Sequence, residues 1–83
     1  MRIPDHINIA ETNTGLVLLH GQTGTYWEIN QTGRMLIEAI RRSGQLDELP
    51  GRIAAEFDVD SERAEADLHA VLTQLVAEGL IEK

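Results

Sequence analysis

Three histidines, His6, His20 and His69, and fourteen Asp and Glu side chains are the groups of this 83-residue chain with acid–base or metal-binding chemistry. The histidines are scattered without ligand spacing, and no Cys is present to supply a thiolate or a disulfide. No metal site is expected. No Ser, His and Asp set stands out, and Gly21-Gln22-Thr23-Gly24 lacks both the Lys and the following helix of a phosphate-binding loop. No pattern assigns a carboxylate to a pocket. The chain is therefore expected to be neither an enzyme nor a cofactor carrier. What remains is the chemistry of the backbone, and one stretch concentrates it. Thr25-Tyr26-Trp27-Glu28-Ile29-Asn30 is a β-favouring run with the only Tyr and the only Trp, in a chain whose one other aromatic is Phe57. Aromatics this scarce, side by side on one strand, point to a strand that touches something besides its own core. The expectation is a sheet edge that receives another peptide.

The elements that must position this strand fit one small domain, residues 1–83. Apolar residues make up 42% and charged residues 25%, an ordinary balance for a globular fold with a single core. The N-terminus, Met1 to His6, has no signal-peptide core, and no run approaches a membrane span, so a cytoplasmic location without membrane contact is expected. Fourteen acidic against seven basic residues give a formal net charge of −7, spread along the chain. Phosphate backbones are bound through Lys and Arg, so nucleic acid is a poor partner, whereas a neutral or basic polypeptide suits this surface.

Along the chain, Ile7–Glu11 alternates apolar and polar residues as a first strand, and Thr12-Asn13-Thr14-Gly15 is turn chemistry. Leu16–His20 is apolar nearly throughout, the mark of a strand that is central or covered on both faces. After Gly21–Gly24, Thr25–Ile29 is the third strand. Short turns make the three a meander, which leaves the third at an edge with little guarding beyond Glu28. Asn30 is an N-cap for a helix from Gln31 to Arg42, with Met35, Leu36, Ala39 and Ile40 toward the core. Gly33 in its first turn implies close approach of helix and sheet. Arg41 and Arg42 are accounted for by the negative helix end, and Gly44 stops it. A second helix begins in Gln45–Pro50, with Asp47 as cap and Leu49, Ile53, Ala54 and Phe57 as its apolar face. Asp58–Ser61 breaks it and caps a third helix, about Glu62 to Glu78, striped by Ala64, Leu68, Val71, Leu72, Leu75 and Val76. Gly79 ends that helix, and Leu80-Ile81 folds back. The fold class is α+β: a three-stranded antiparallel β-meander followed by three helices of winged-helix type.

A strand ending in Tyr26-Trp27-Glu28-Ile29-Asn30, Gln31-Thr32-Gly33 opening a helix, and a late helix closing on Leu75-Val76-Ala77-Glu78-Gly79-Leu80-Ile81 together resemble the PqqD-like family, over about Gly15 to Ile81. Its members are precursor-recognition elements of ribosomally synthesised, post-translationally modified peptide (RiPP) pathways, acting as peptide chaperones. The small, acidic, stand-alone form most resembles the recognition protein of lasso peptide biosynthesis. The resemblance implies that a precursor's leader peptide adds as a strand to the third strand and lies in a groove against the third helix. It also implies delivery to a separate leader peptidase and a cyclase. Carried onto this sequence, the peptide-binding residues are Thr25, Tyr26, Trp27, Glu28 and Ile29 on the strand and Asp67, Leu68, Val71, Leu72 and Leu75 on the helix. Glu28 and Asp67 would be available to a basic leader residue. Tyr26 and Trp27 point to opposite faces, so the pattern leaves open which face lines the groove.

Plainer readings stand beside these. Tyr26 and Trp27 also suit the core and rim of a small sheet, and the third-helix stripe is mostly core, with only Asp67, Val71 and Gln74 at its margin. Glu62, Glu65 and Asp67 make an ordinary solvated helix start. A winged-helix DNA-binding regulator shares the elements, but its recognition helix needs basic side chains, and the third helix has Arg63 alone. A recognition domain of another modified-peptide pathway, such as one serving a radical enzyme, is a second alternative.

Overall fold

The alternating apolar residues of the first third pair as strands, and the 3.6-residue periodicity beyond Asn30 forms helices packed on one face of the sheet. The structure, a computed structural model, describes residues 1–13 and 15–82. In chain order the elements are β1 (Ile7–Thr12), β2 (Gly15–His20), β3 (Tyr26–Ile29), α1 (Gln31–Arg42), α2 (Leu49–Phe57) and α3 (Ser61–Ala77). The sheet is an antiparallel meander of order β1-β2-β3. The α+β class and the edge position of β3 are as expected. Within the expected turn Thr12–Gly15, Thr14 lies outside the described residues.

Period-two alternation divides the sheet into two unlike faces. Ile7, Leu16, Leu18, His20 and Ile29 are buried on the inner face, and Trp27 is half-buried beside them. On the outer face Asn8, Ala10, Leu19, Tyr26 and Glu28 are exposed, and Val17 is half-buried. β2 is thus central, but its apolar run is covered on one face rather than both.

The inner face meets α1, which contacts β2 and β3, while α2 and α3 pack on each other and on α1. The core joins Leu18 to Leu36, Ile37, Ile53, Leu80 and Ile81, all with relative exposure of 2% or less. Ile37 is fully buried, whereas Met35, expected in the core, is half-buried at its margin. Met35 and Ile37 lie about 200° apart around the helix, on opposite borders of the Leu36–Ala39–Ile40 stripe, so a modest rotation of α1 buries Ile37 and brings Met35 to the margin. Phe57, expected on the apolar face of α2, is 40% exposed where that helix ends.

The helix boundaries follow from local hydrogen bonds. Asn30 Oδ1 accepts from the Gly33 N–H at 2.9 Å, and Asp60 Oδ1 from the Arg63 N–H at 2.8 Å, each filling a free first-turn donor. The second helix begins later than its polar lead-in suggests. Its N-cap is Glu48, which makes no side-chain cap bond, so Asp47 is not the cap, although Pro50 does lie in the first turn. Asp58 ends α2 in the left-handed conformation (φ 53°). Gly79 does the same after α3 (φ 76°), and the Leu80 N–H then donates to Leu75 O at 2.9 Å, turning Leu80 and Ile81 into the core. The returning tail reaches the N-terminus, where Arg2 and Glu82 exchange two backbone bonds of 2.9 and 2.8 Å. Arg2 Nε also donates to Glu82 Oε2 at 2.7 Å, and that partner raises the guanidinium pKa above its ordinary value. Among the described residues no helix is long and apolar enough to cross a membrane.

Candidate peptide-binding edge and groove

The turn before β3 sets the direction of every backbone group on that strand. The His20 N–H donates to Thr25 O at 2.8 Å, which makes His20 and Thr25 a hydrogen-bonded pair in line with the β2–β3 register. In an antiparallel ladder such pairs alternate with non-bonded ones. Trp27 and Ile29 therefore direct their N–H and C=O toward β2, while Tyr26 and Glu28 direct theirs to the open edge. Two donors and two acceptors stand along β3 with no strand of the sheet beyond them.

Beyond that edge lies α3, and no Cα of α3 comes within 8 Å of a Cα of β3. The space is a groove floored by side chains. Trp27, Glu28, Ile29 and Asn30 line it from the strand, Val71, Gln74 and Leu75 from α3, and Gly33 from α1, around a hollow of about 150 Å³. Ile29 and Leu75 are buried in its floor, while Trp27 and Val71 are half-buried in its walls. The Gly33 position is forced: a Cβ built there would overlap Ile29 Cγ2, so any side chain would push α1 off the strand. Trp27 and Ile29 thus share the face toward α3, which settles the face that alternation left open. Tyr26 looks the other way.

The remaining expected residues divide. Thr25 falls just before β3, its N–H donating to Thr23 Oγ1 at 3.2 Å within the turn. Leu68 is buried in the core at 6% exposure. Leu72 turns away to a separate shallow hollow of about 280 Å³ with His69, Thr73, Val76 and Ala77. Asp67 is exposed and pairs with Arg63 one turn earlier at 3.9 Å, away from the hollow. A helix presents successive residues 100° apart, so the Asp67–Leu75 span cannot all face one groove. Gly33, Asn30 and Gln74, the last noted only at the margin of the helix stripe, join the lining from outside the expected set. The signal for Gly33 was in the sequence, as a glycine in a helical first turn.

Chemically, the arrangement offers outward-facing peptide groups beside a small, largely apolar cavity in which Glu28 is the one ionisable residue of the lining. Among the described residues there is no group of three or more His, Cys, Asp or Glu side chains placed to hold a metal ion. A larger cleft of about 290 Å³ lies at the other end of α1, between Arg42, Arg52, Asp47 and Glu48. Its mixed charges and distance from the edge give it no part in strand addition.

Two solved structures of this architecture contain a leader peptide. The chain superimposes with a TM-score of 0.89 on a lasso peptide synthetase B1 complexed with the leader peptide, at 28% identity over 99% of this chain and 96% of that one. It superimposes with a TM-score of 0.87 on TbiB1 in complex with the TbiA(beta) leader peptide, at 33% identity over 99% and 95%. No curated protein sequence matches it. The family described as coenzyme PQQ synthesis protein D (PqqD) matches residues 15–81, a span that holds β2, the β3 edge, all three helices and the buried tail, and this chain belongs to that family.

Proposed function

We propose that this protein binds the leader region of a ribosomally synthesised precursor peptide by strand addition to β3, and presents it to a separate leader peptidase and a cyclase in lasso peptide biosynthesis. The observation that carries this reading is the open backbone of Tyr26 and Glu28 beside the Trp27–Val71–Leu75 hollow. The leader complexes of the two similar B1 proteins support it. Of the expected residues, Tyr26 and Glu28 contribute peptide groups, and Trp27, Ile29, Val71 and Leu75 contribute the apolar surface. Gly33 keeps the floor low.

Four edge hydrogen bonds at about 0.5–1.5 kcal/mol each come to about 2–6 kcal/mol. Ordering a flexible peptide costs about 2–5 kcal/mol or more. The two nearly cancel, so a side chain anchored in the hollow must supply the net affinity and the selectivity. The protein's role is binding, with catalysis left to the enzymes it serves.

Titration with a synthetic leader from the neighbouring precursor gene tests this, following Trp27 emission and the anisotropy of a labelled peptide. Saturable binding with a Trp27 response, lost on scrambling the leader, is the expected result. Absence of binding would overturn the role, and binding without a Trp27 response would overturn the groove.

A further inference from the structure

The arginines divide by their partners. Among the described residues Arg2, Arg34 and Arg63 each pair with a carboxylate, whereas Arg41, Arg42 and Arg52 make no ion pair and no side-chain hydrogen bond. The three without a partner stand together. Arg42 and Arg52 line one cleft of about 290 Å³ where α1 ends and α2 begins, and Arg41 shares a shallower hollow beside it with Arg42 and Glu38. The negative end of α1 accounts for cations at Arg41 and Arg42, but not for Arg52 on the next helix. Nor are carboxylates lacking. Asp47 and Glu48 line the same cleft, yet neither forms an ion pair with a guanidinium there. In a chain at −7, these three guanidiniums are what the surface offers an acidic partner.

The lining specifies the kind of occupant. Two guanidiniums, two carboxylates and Ser43 surround a floor to which buried Ala39 and Leu49 contribute. A free phosphate would meet Asp47 and Glu48 along with the arginines. A polypeptide segment meets both charges, with carboxylates for the guanidinium forks and N–H or cationic donors for Asp47 and Glu48. A second copy of this chain would bring its own excess of acid to the contact, and joining unlike surfaces would build an open chain of copies. The cleft is also remote from the groove. Gly33 and Arg42 are separated by most of α1, about 14 Å at a rise of about 1.5 Å per residue, so both sites can be filled at once. We infer that this cleft docks an acidic segment of the cyclase. The choice of enzyme follows from the order of the chemistry. The peptidase meets its substrate on the leader itself. After its cut, the remainder of the peptide no longer carries the leader, and only direct contact keeps a cyclase acting on that remainder at the domain. The inference rests on the strand-addition reading and the partners proposed above. A contact this small is weak and transient, as a hand-over requires.

The test uses the purified cyclase of the same pathway as probe over immobilised domain without leader, and the leader titration forms a separate arm. Wild-type domain should retain the cyclase saturably, and added salt should weaken that retention. Arg42→Glu and Arg52→Glu, both at exposed positions, should each lower it about tenfold or more while the domain stays folded and leader affinity is unchanged. Arg52→Lys keeps the charge without the planar fork and should fall between wild type and Arg52→Glu. Absence of retention, or retention unaffected by both charge reversals, overturns the inference. So does displacement of the cyclase by inorganic phosphate at constant ionic strength, which would make the cleft a site for free anions. Retention of the peptidase instead of the cyclase through the same arginines overturns the choice of partner. Concentration-dependent dimerisation of the wild type that Arg42→Glu abolishes would give the cleft to a second copy and overturn it as well. Failure of the wild type to bind leader shows in its own arm, and counts against the groove reading rather than against a retention carried by the arginines.

Discussion

The β3 edge can be tested by proline, because alternation gives neighbouring residues opposite responses. The Glu28 N–H points outward and serves no bond in the sheet, whereas that of Trp27 points to β2, in register with Leu18. Proline lacks the donor, and its ring fills the place of the amide hydrogen; it is tolerated on an edge strand where the N–H side faces solvent. Glu28→Pro should therefore leave the domain folded, with a loss of about 1 kcal/mol, the mean for a point substitution, and a Tm lowered by about 4–8 °C. The leader loses the bond to that amide, and the ring holds it away from the adjoining group as well. Two of four edge bonds at about 0.5–1.5 kcal/mol each amount to about 1–3 kcal/mol, or a five- to 150-fold weaker Kd (roughly). Trp27→Pro instead breaks the ladder and should cost about 3 kcal/mol or more of stability. Anisotropy with a labelled leader and thermal melting by circular dichroism read the two effects separately. Unchanged leader affinity in a folded Glu28→Pro protein would refute strand addition at β3.

Val71→Glu puts a carboxylate in the wall of the hollow, hydrated in the free protein and stranded when an anchor side chain fills the space. Lost apolar contact plus an unmet charge should weaken leader binding well over tenfold, at about 1–3 kcal/mol for the stranded group alone; unfolding would instead assign Val71 to the core. Gly33→Ala forces α1 away from Ile29 and should cost about 1–3 kcal/mol through overpacking, seen as a lower melting temperature. Asn30→Ala removes the acceptor of the Gly33 N–H and should cost about 0.5–2 kcal/mol. Because that cap also sits at the end of the groove, a leader titration beside the melt will show whether binding weakens with it.

The fold was legible in the sequence where a single residue type has a single physical use. Asn30 before Gln31 and Gly79 after α3 punctuate the chain by filling or releasing helix-end groups, and the helices start and stop there; within Asp58–Ser61 the structure selects Asp60 as the cap and starts α3 at Ser61 rather than Glu62. The α2 start was not legible, because Asp47 is the one preferred capping residue in Gln45–Glu48 and the helix begins a residue later, after Glu48, without a side-chain cap. The groove was only half legible. Periodicity finds the apolar stripe of α3, but it cannot say that Leu68 turns inward, Val71 to the strand and Leu72 to the far side, since these are separated by rotation about the helix alone. The face of β3 was likewise hidden, because Tyr26 and Trp27 are both aromatic. Only the packing of α1 against Ile29 through Gly33 decides between them.

That packing also explains why so short an edge suffices for recognition. β3 offers outward peptide groups from two residues only, and their bonds roughly balance the cost of ordering the peptide. An edge of this length binds almost any extended chain weakly and none tightly, which suits a protein that must let its cargo go. The proposal gives selectivity to a hollow of about 150 Å³, room for one medium-sized side chain. The hollow exists because Gly33 brings α1 against Ile29 while α3 stands more than 8 Å, Cα to Cα, from the strand. Moving either helix toward the other arrangement would fill the cavity or open it to water. In the proposed mode a leader is read by one anchored side chain held at a fixed offset from two pairs of backbone bonds. Sliding it by one residue would turn the anchor to the outer face, so edge and hollow together fix its register as neither does alone.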